Sequence, residues 1–212
     1  MSMYPDDEEQ PVTDVIPAID PQRSALLVMD YQPAVLASLS EAEALLVRLA
    51  EAIATVRQAG MHVAYVRVAF DDPDYETIPA TNKVFAPLAA SGRFLHHEAP
   101  ETAVHHHVAP EPDDIIVRKT RVGAFSTTDL DEQLRSRDID TVILAGVSTS
   151  GVVLSTVRDA ADRDYRVYVL ADGSADHDSD VHDVLTQKVF PWQAHVIDVD
   201  DLPGLLSTAE AT

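Results

Sequence analysis

Six short apolar runs, separated by longer amphipathic or polar stretches, restrict the fold of this chain more than any other feature. The first, Ala25-Leu26-Leu27-Val28-Met29, is apolar at every position and stops at Asp30. A strand with no polar face has to be covered on both sides, as in a parallel sheet held between helical layers. Runs at 63–68, 115–119, 141–146, 166–170 and 195–197 read as five further strands. Between the first two, Leu45, Leu46, Leu49, Ile53 and Val56 recur at helical spacing, with Gly60 as the stop and Ser40-Glu41-Ala42-Glu43 as a capping box. Helices are also expected near 82–90, near 128–137, from about 150 to 160 and near 180–190, with a short one at the end. Strands alternating with helices require crossover connections. The expected fold is therefore an α/β protein: a three-layer α/β/α sandwich around a central, mostly parallel six-stranded sheet.

Residues 23–212 are long enough for one domain. Residues 1–22 read differently. They carry Asp6, Asp7, Glu8, Glu9, Asp14 and Asp20, no Lys or Arg before Arg23, and prolines at 5, 11, 17 and 21. Such a segment is a disordered tail or an arm laid over a neighbouring surface, although Ala18-Ile19 has something to bury. Residues 71–113 are broken by Pro73, Pro79, Pro87, Pro100, Pro110 and Pro112. Connections of this length are commonly lids or interface segments, and this one is a candidate wall for a neighbouring subunit's pocket.

Charge and cysteine content remove several function classes. With 36 acidic and 15 basic residues the net charge is −21, so neither nucleic acid nor an anionic membrane surface is an expected partner. There is no cysteine, which rules out disulfides, thiolate metal sites and any mechanism with a cysteine nucleophile. No apolar run reaches membrane-spanning length, and the acidic start lacks the pattern of a signal peptide. A cytoplasmic location is the expectation.

In open parallel sheets ligands bind beyond the carboxyl ends of the strands. The polar residues that end the apolar runs are Asp30, Lys119 and the segment Val147-Ser148-Thr149-Ser150. An aspartate held against an ammonium in a partly dry cleft is equipped to move a proton; the same two residues also suit an ion pair that merely braces two strands. The Gly146–Gly151 turn feeds a helix, and its backbone N–H groups suit an oxyanion or carboxylate. Val152 stands where a phosphate-binding loop needs lysine, and no Gly-x-Gly-x-x-Gly follows the first strand, so no nucleotide cofactor is indicated. Ser148 and Ser150 need only be capping residues. His96-His97 and His105-His106-His107 are read as solvated loop because consecutive side chains diverge, so no metal is expected. Asp176, Asp178, Asp180 and Asp183 suit a helix N-terminus, and Asp178 to His182 has the spacing of a capping or packing pair.

Ala25–Gln32, Lys119–Leu130 and Gly146–Ala160 together resemble the three motifs of the isochorismatase-like hydrolases, also called cysteine hydrolases, in the family's order and on the expected strands. Asp172 and His182 fall where that family commonly has Asp and His. The resemblance runs from about Ser24 to Leu202 and implies a Rossmann-like fold, a homo-oligomer (dimer or tetramer), a small-molecule substrate and no cofactor. It implies Asp30 as catalytic acid or base and Lys119 as its cationic partner. Gln32, Val147, Ser148, Gly151 and Arg121 then belong to the oxyanion or substrate-binding set, with a cis peptide implied at Val147–Ser148. Arg121 would either face a substrate carboxylate or lie at a surface or interface. Aligning Gly146, Thr149 and Thr156 puts Val152 at the position where amide-cleaving members carry cysteine.

Valine cannot attack a carbonyl, so the resemblance implies a hydrolase working without a thioester. Isochorismatases of the family also lack the cysteine; in them the aspartate protonates an enol-ether carbon before water attacks. Enol-ether hydrolysis is therefore expected over amide hydrolysis. The competing expectation is a catalytically silent relative that binds or senses a small acid.

Overall fold

A computed structural model of the protein describes residues 15–91 and 95–206; the first fourteen residues of the acidic segment lie outside that range. The strands are β1 (Ser24–Met29), β2 (His62–Val68), β3 (Ile115–Lys119), β4 (Thr141–Gly146), β5 (Arg166–Leu170) and β6 (His195–Ile197). The helices are α1 (Pro33–Leu36), α2 (Ala42–Gln58), α3 (Asp72–Glu76), α4 (Ala86–Ala90), α5 (Leu130–Arg135), α6 (Leu154–Asp162), α7 (Ser179–Val184) and α8 (Leu202–Leu205). The sheet order is β3-β2-β1-β4-β5-β6. Every pairing is parallel, so the expected mostly parallel sheet is parallel throughout.

Burial follows position in the sheet. Central strands β1 and β4 are buried at all six positions each, whereas edge strand β3 alternates and leaves Ile116 half exposed. Successive strand residues face opposite layers. Leu26 and Val28 pack with Leu45, Leu49, Ile53 and Val56 of α2. Ala25, Leu27 and Met29 instead share a core with Leu130 and Leu134 of α5 and Val157 and Ala160 of α6. That division produces the three layers.

Several local expectations need correction. Helix α2 starts at Ala42 with Glu41 as N-cap and no side-chain capping bond, so Ser40 caps nothing. The segment after Ser148 opens as a wide π turn, Thr149–Val153, before α6 begins. The expected helix at 180–190 is α7 followed by another π turn, Leu185–Val189, and a 3-10 turn containing Pro191. Ile19 is fully buried, and its N–H donates to Leu205 O at 2.8 Å. Residues just before β1 are thus packed against α8, as the arm alternative has it and not as a free tail.

Candidate active site

The order 3-2-1-4-5-6 reverses direction between β1 and β4, and a crevice opens at the carboxyl ends of strands flanking such a reversal. Asp30 follows β1 there, and the Gly146–Val153 segment follows β4. The Asp30 backbone lies in the left-handed region at φ 60°, which costs a non-glycine residue energy unless its surroundings hold it. They do: its N–H donates to Val66 O, and its carbonyl accepts from Gln32 N–H, both at 2.8 Å.

Lys119 ends β3, two strands away, and reaches back across β2. Its Nζ lies 2.8 Å from Asp30 Oδ2, and both residues are buried, at 2% and 5% exposure. The ammonium also donates to Val122 O at 2.9 Å and Arg121 O at 3.2 Å. Three donors and three acceptors leave it no spare hydrogen, so Lys119 fixes Asp30 and the turn after β3. Asp30 Oδ1 is buried and meets no hydrogen-bond donor among the described residues. Burial pushes the Asp30 carboxyl above the usual carboxylate range, against the pull of the Lys119 ammonium. A carboxyl so placed keeps a proton at higher pH than an exposed one.

Val152 is 2% exposed and packs in the same core as Met29 and Val153. It sits against Gly146, where an added Cβ would lie 3.1 Å from Val152 Cγ1, 3.0 Å from Val153 Cγ2 and 3.2 Å from Met29 Cβ. The peptide Val147–Ser148 is cis. Val147 is buried and its N–H donates to Met29 O, tying the turn to β1. Gly151 N–H donates to Ser148 O at 3.1 Å, so that donor serves the turn and is not free for an anion. A Cβ at Gly151 would lie 2.7 Å from Ser148 Oγ, so a side chain there requires that hydroxyl to rotate away.

Gln32 is fully buried. Its Nε2 donates to Val68 O and Thr102 O at 2.9 and 2.7 Å, and its Oε1 accepts from Val68 N–H at 2.8 Å. The amide has no hydrogen left for a ligand, and it buttresses the Asp30 turn. Arg121 donates to Thr120 O at 2.6 Å, with its guanidinium carbon 5.9 Å from the Phe85 ring centre.

A second layer of contacts was not foreseen. Thr149, fully buried, pairs through Oγ1 with His182 Nδ1 at 2.8 Å. Ser150 N–H donates to Asp176 Oδ2 at 2.7 Å, Thr149 N–H to Ala175 O at 2.8 Å and Gly146 N–H to Ser174 Oγ at 3.2 Å. Asp178 alone caps α7; Asp176 caps the β4 turn. Burial raises the Asp176 carboxyl, but the hydrogen bonds it accepts outweigh that and hold it below the usual range. Asp172 accepts from Arg48 Nε at 2.9 Å and from Val199 N–H at 2.8 Å. Behind these contacts lies a cavity of about 690 Å³ walled in part by Arg48, Asp172, Ser174, Asp176, His177 and His182. Asp30, Lys119 and Val152 do not line it.

Comparison with known proteins agrees with this architecture. Residues 24–201 match the isochorismatase domain. The uncharacterized isochorismatase family protein YwoC of Bacillus subtilis (strain 168) is 38% identical over 78 residues, covering 37% of this chain and 41% of that protein. The chain spans about half, or less, of the length of the curated relatives it matches. An isochorismatase family protein from Burkholderia thailandensis superposes with TM-score 0.78 at 26% identity, covering 91% of this chain and all of that one. N-carbamoylsarcosine amidase from Thermoplasma acidophilum gives TM-score 0.69 at 27% identity, covering 84% and 97%. With its domain match spanning all six strands, the chain belongs to the isochorismatase family.

Proposed function

We propose that this protein hydrolyses a small molecule through the Asp30–Lys119 pair without a covalent thioester, and that an enol ether of the isochorismate type is favoured over an amide. The observation that carries this reading is a buried carboxyl with one oxygen tied to an ammonium and the other meeting no donor among the described residues, in a chain with no cysteine. Oδ2 is held by Lys119, so the transferable proton belongs on Oδ1.

In this reading Oδ1–H protonates the terminal carbon of the vinyl ether. The double-bond electrons form the new C–H bond and leave an oxocarbenium carbon. Water adds to that carbon and returns a proton to Asp30, and the hemiketal C–O bond breaks to release an alcohol and a ketone. Every atom comes from substrate and water. Lys119 supports Asp30 electrostatically. Arg121 and the Val147–Gly151 turn are proposed to border the substrate, with Val152 at the nucleophile-equivalent position but no nucleophile. The proposal extends to a cytoplasmic location and to a homo-oligomer, a dimer or tetramer, of which the family resemblance implies the second and sedimentation measures it.

Turnover of isochorismate, simple vinyl ethers and amides by the protein and by Asp30→Asn tests the reading. Enol-ether hydrolysis that falls by about 100-fold or more in Asp30→Asn is the expected result. Equal rates for both proteins remove Asp30 from the mechanism, and turnover of amides alone overturns the substrate class.

The near-complete burial of Asp30, Lys119 and Val152 favours one second reading, a catalytically silent relative that binds a small acid. A carboxylate that raises the melting temperature without being consumed supports it. Val152→Cys separates the two further: gained amidase activity shows that the remaining machinery is intact.

A further inference from the structure

Consecutive histidines point apart on an extended chain, which is why 105–107 reads as solvated loop in the sequence. In the folded protein they do not diverge. His105 is the N-cap of a 3-10 turn, His106–Val108, and its Nδ1 accepts from His107 N–H at 3.3 Å. The tight turn gathers the rings: centroids lie 4.4 Å apart for His105–His106, 4.3 Å for His106–His107 and 5.1 Å for His105–His107. One ring nitrogen from each falls within 4.8 Å of the others. The turn packs beside α2, and Glu43 in the first turn of that helix brings Oε1 to 3.8 Å from His107 Nδ1.

We propose that His105, His106 and His107 form a binding site for one divalent transition-metal ion of the zinc type, His105 giving up its long Nδ1 bond from His107 N–H so that its one free lone pair faces the ion, with Glu43 as fourth ligand or as the carboxylate that orients His107. Imidazole nitrogens bind zinc at about 2.0–2.1 Å, so ligand atoms around a tetrahedral ion stand about 3.4 Å apart. His106 and His107 are exposed, and rotation of their side chains closes the remaining distance. Three imidazoles select zinc, nickel or copper over magnesium and calcium, which prefer oxygen ligands. A carboxylate beside a ligating histidine is the usual orienting partner. The net charge of −21 adds a long-range attraction for any cation. His105 N–H donates to Tyr31 O at 2.8 Å, so the same turn is tied to the residue that follows Asp30. The assignment is independent of the proposed hydrolysis.

Titration calorimetry of the full chain, free of any affinity tag, with ZnCl2 tests it. One saturable site per chain is expected. His106→Ala and His107→Ala should each weaken binding at least about tenfold, since losing a ligand costs no less than losing an outer partner. MgCl2 should give no saturable site at comparable concentrations. His106→Ala removes an exposed ring, and a matching melting curve without metal confirms that it folds. Absence of saturable zinc binding overturns the proposal, as does an isotherm unchanged in the His105→Ala/His106→Ala/His107→Ala protein, which would place the ion elsewhere.

Discussion

Asp30 and Lys119 are each costly alone and tolerable together. Removing one partner of a buried ion pair leaves an uncompensated charge and costs about 3–5 kcal/mol. Asp30→Asn and Lys119→Met should therefore each lower urea unfolding stability by about that much, while the double variant loses clearly less than the sum. Additive losses would show that the charges do not depend on each other. A pH profile adds a separate check. Burial raises the Asp30 carboxyl, and the proposed chemistry uses its protonated form, so kcat/KM should hold at low pH and fall as pH climbs through that raised value. The fold favours the protonated carboxyl, so this group's contribution to stability is likewise present below its unfolded pKa and lost as pH rises through the folded one. A limb at the ordinary carboxylate position would contradict the assigned burial. Asp30 and Lys119 were legible because each ends an apolar run. The two carbonyl partners of Lys119, Arg121 O and Val122 O, were not, because they come from local turn geometry that residue type does not encode.

The strand ends depend on buried polar struts. Gln32 joins the turn after β1 to both polar groups of Val68 and to Thr102. Gln32→Leu keeps the volume but takes the Gln32 bonds from Val68 N–H and O, at about 1–3 kcal/mol for each group left unsatisfied, while Thr102 O keeps a bond from Arg67 Nη1 at 3.2 Å. The variant should melt at lower temperature, and the Asp30-dependent rate should fall with it. A stability equal to the parent's would mean that water satisfies those groups. Strand limits were readable from the sequence to within a residue, since unbroken apolar runs have one way to be buried. Helix starts were less so. Ser40 has the residue type of a cap without the position, and the π turn at Thr149–Val153 leaves no mark in an apolar pattern. The Thr149–His182 contact joins residues 33 positions apart, and no local signal predicts it.

Across the whole molecule, the two ends of the described chain meet. Ile19 is fully buried and bridges to Leu206, and its N–H bonds Leu205. Ile19→Ala should cost about 2–5 kcal/mol for the cavity it leaves, read as a lower denaturation midpoint at unchanged slope. A cost near zero would mean that this segment only rests on the domain. Composition left the region around Ile19 as either a disordered tail or an arm, because proline and acidic residues dominate it, and one buried isoleucine makes it an arm locally. The sequence alone determined the layered α/β architecture, the strand-end positions of Asp30 and Lys119 and the absence of a thiol, because hydrophobic periodicity and residue chemistry are local properties of the chain. Folding alone brought the two charges to 2.8 Å, made Gln32 a strut, held the β4 turn from the segment after β5 and gathered three histidines. The first three depend on distances between segments far apart in the chain, which packing sets only once all six strands are in register, and the fourth on a 3-10 turn that residue type does not announce.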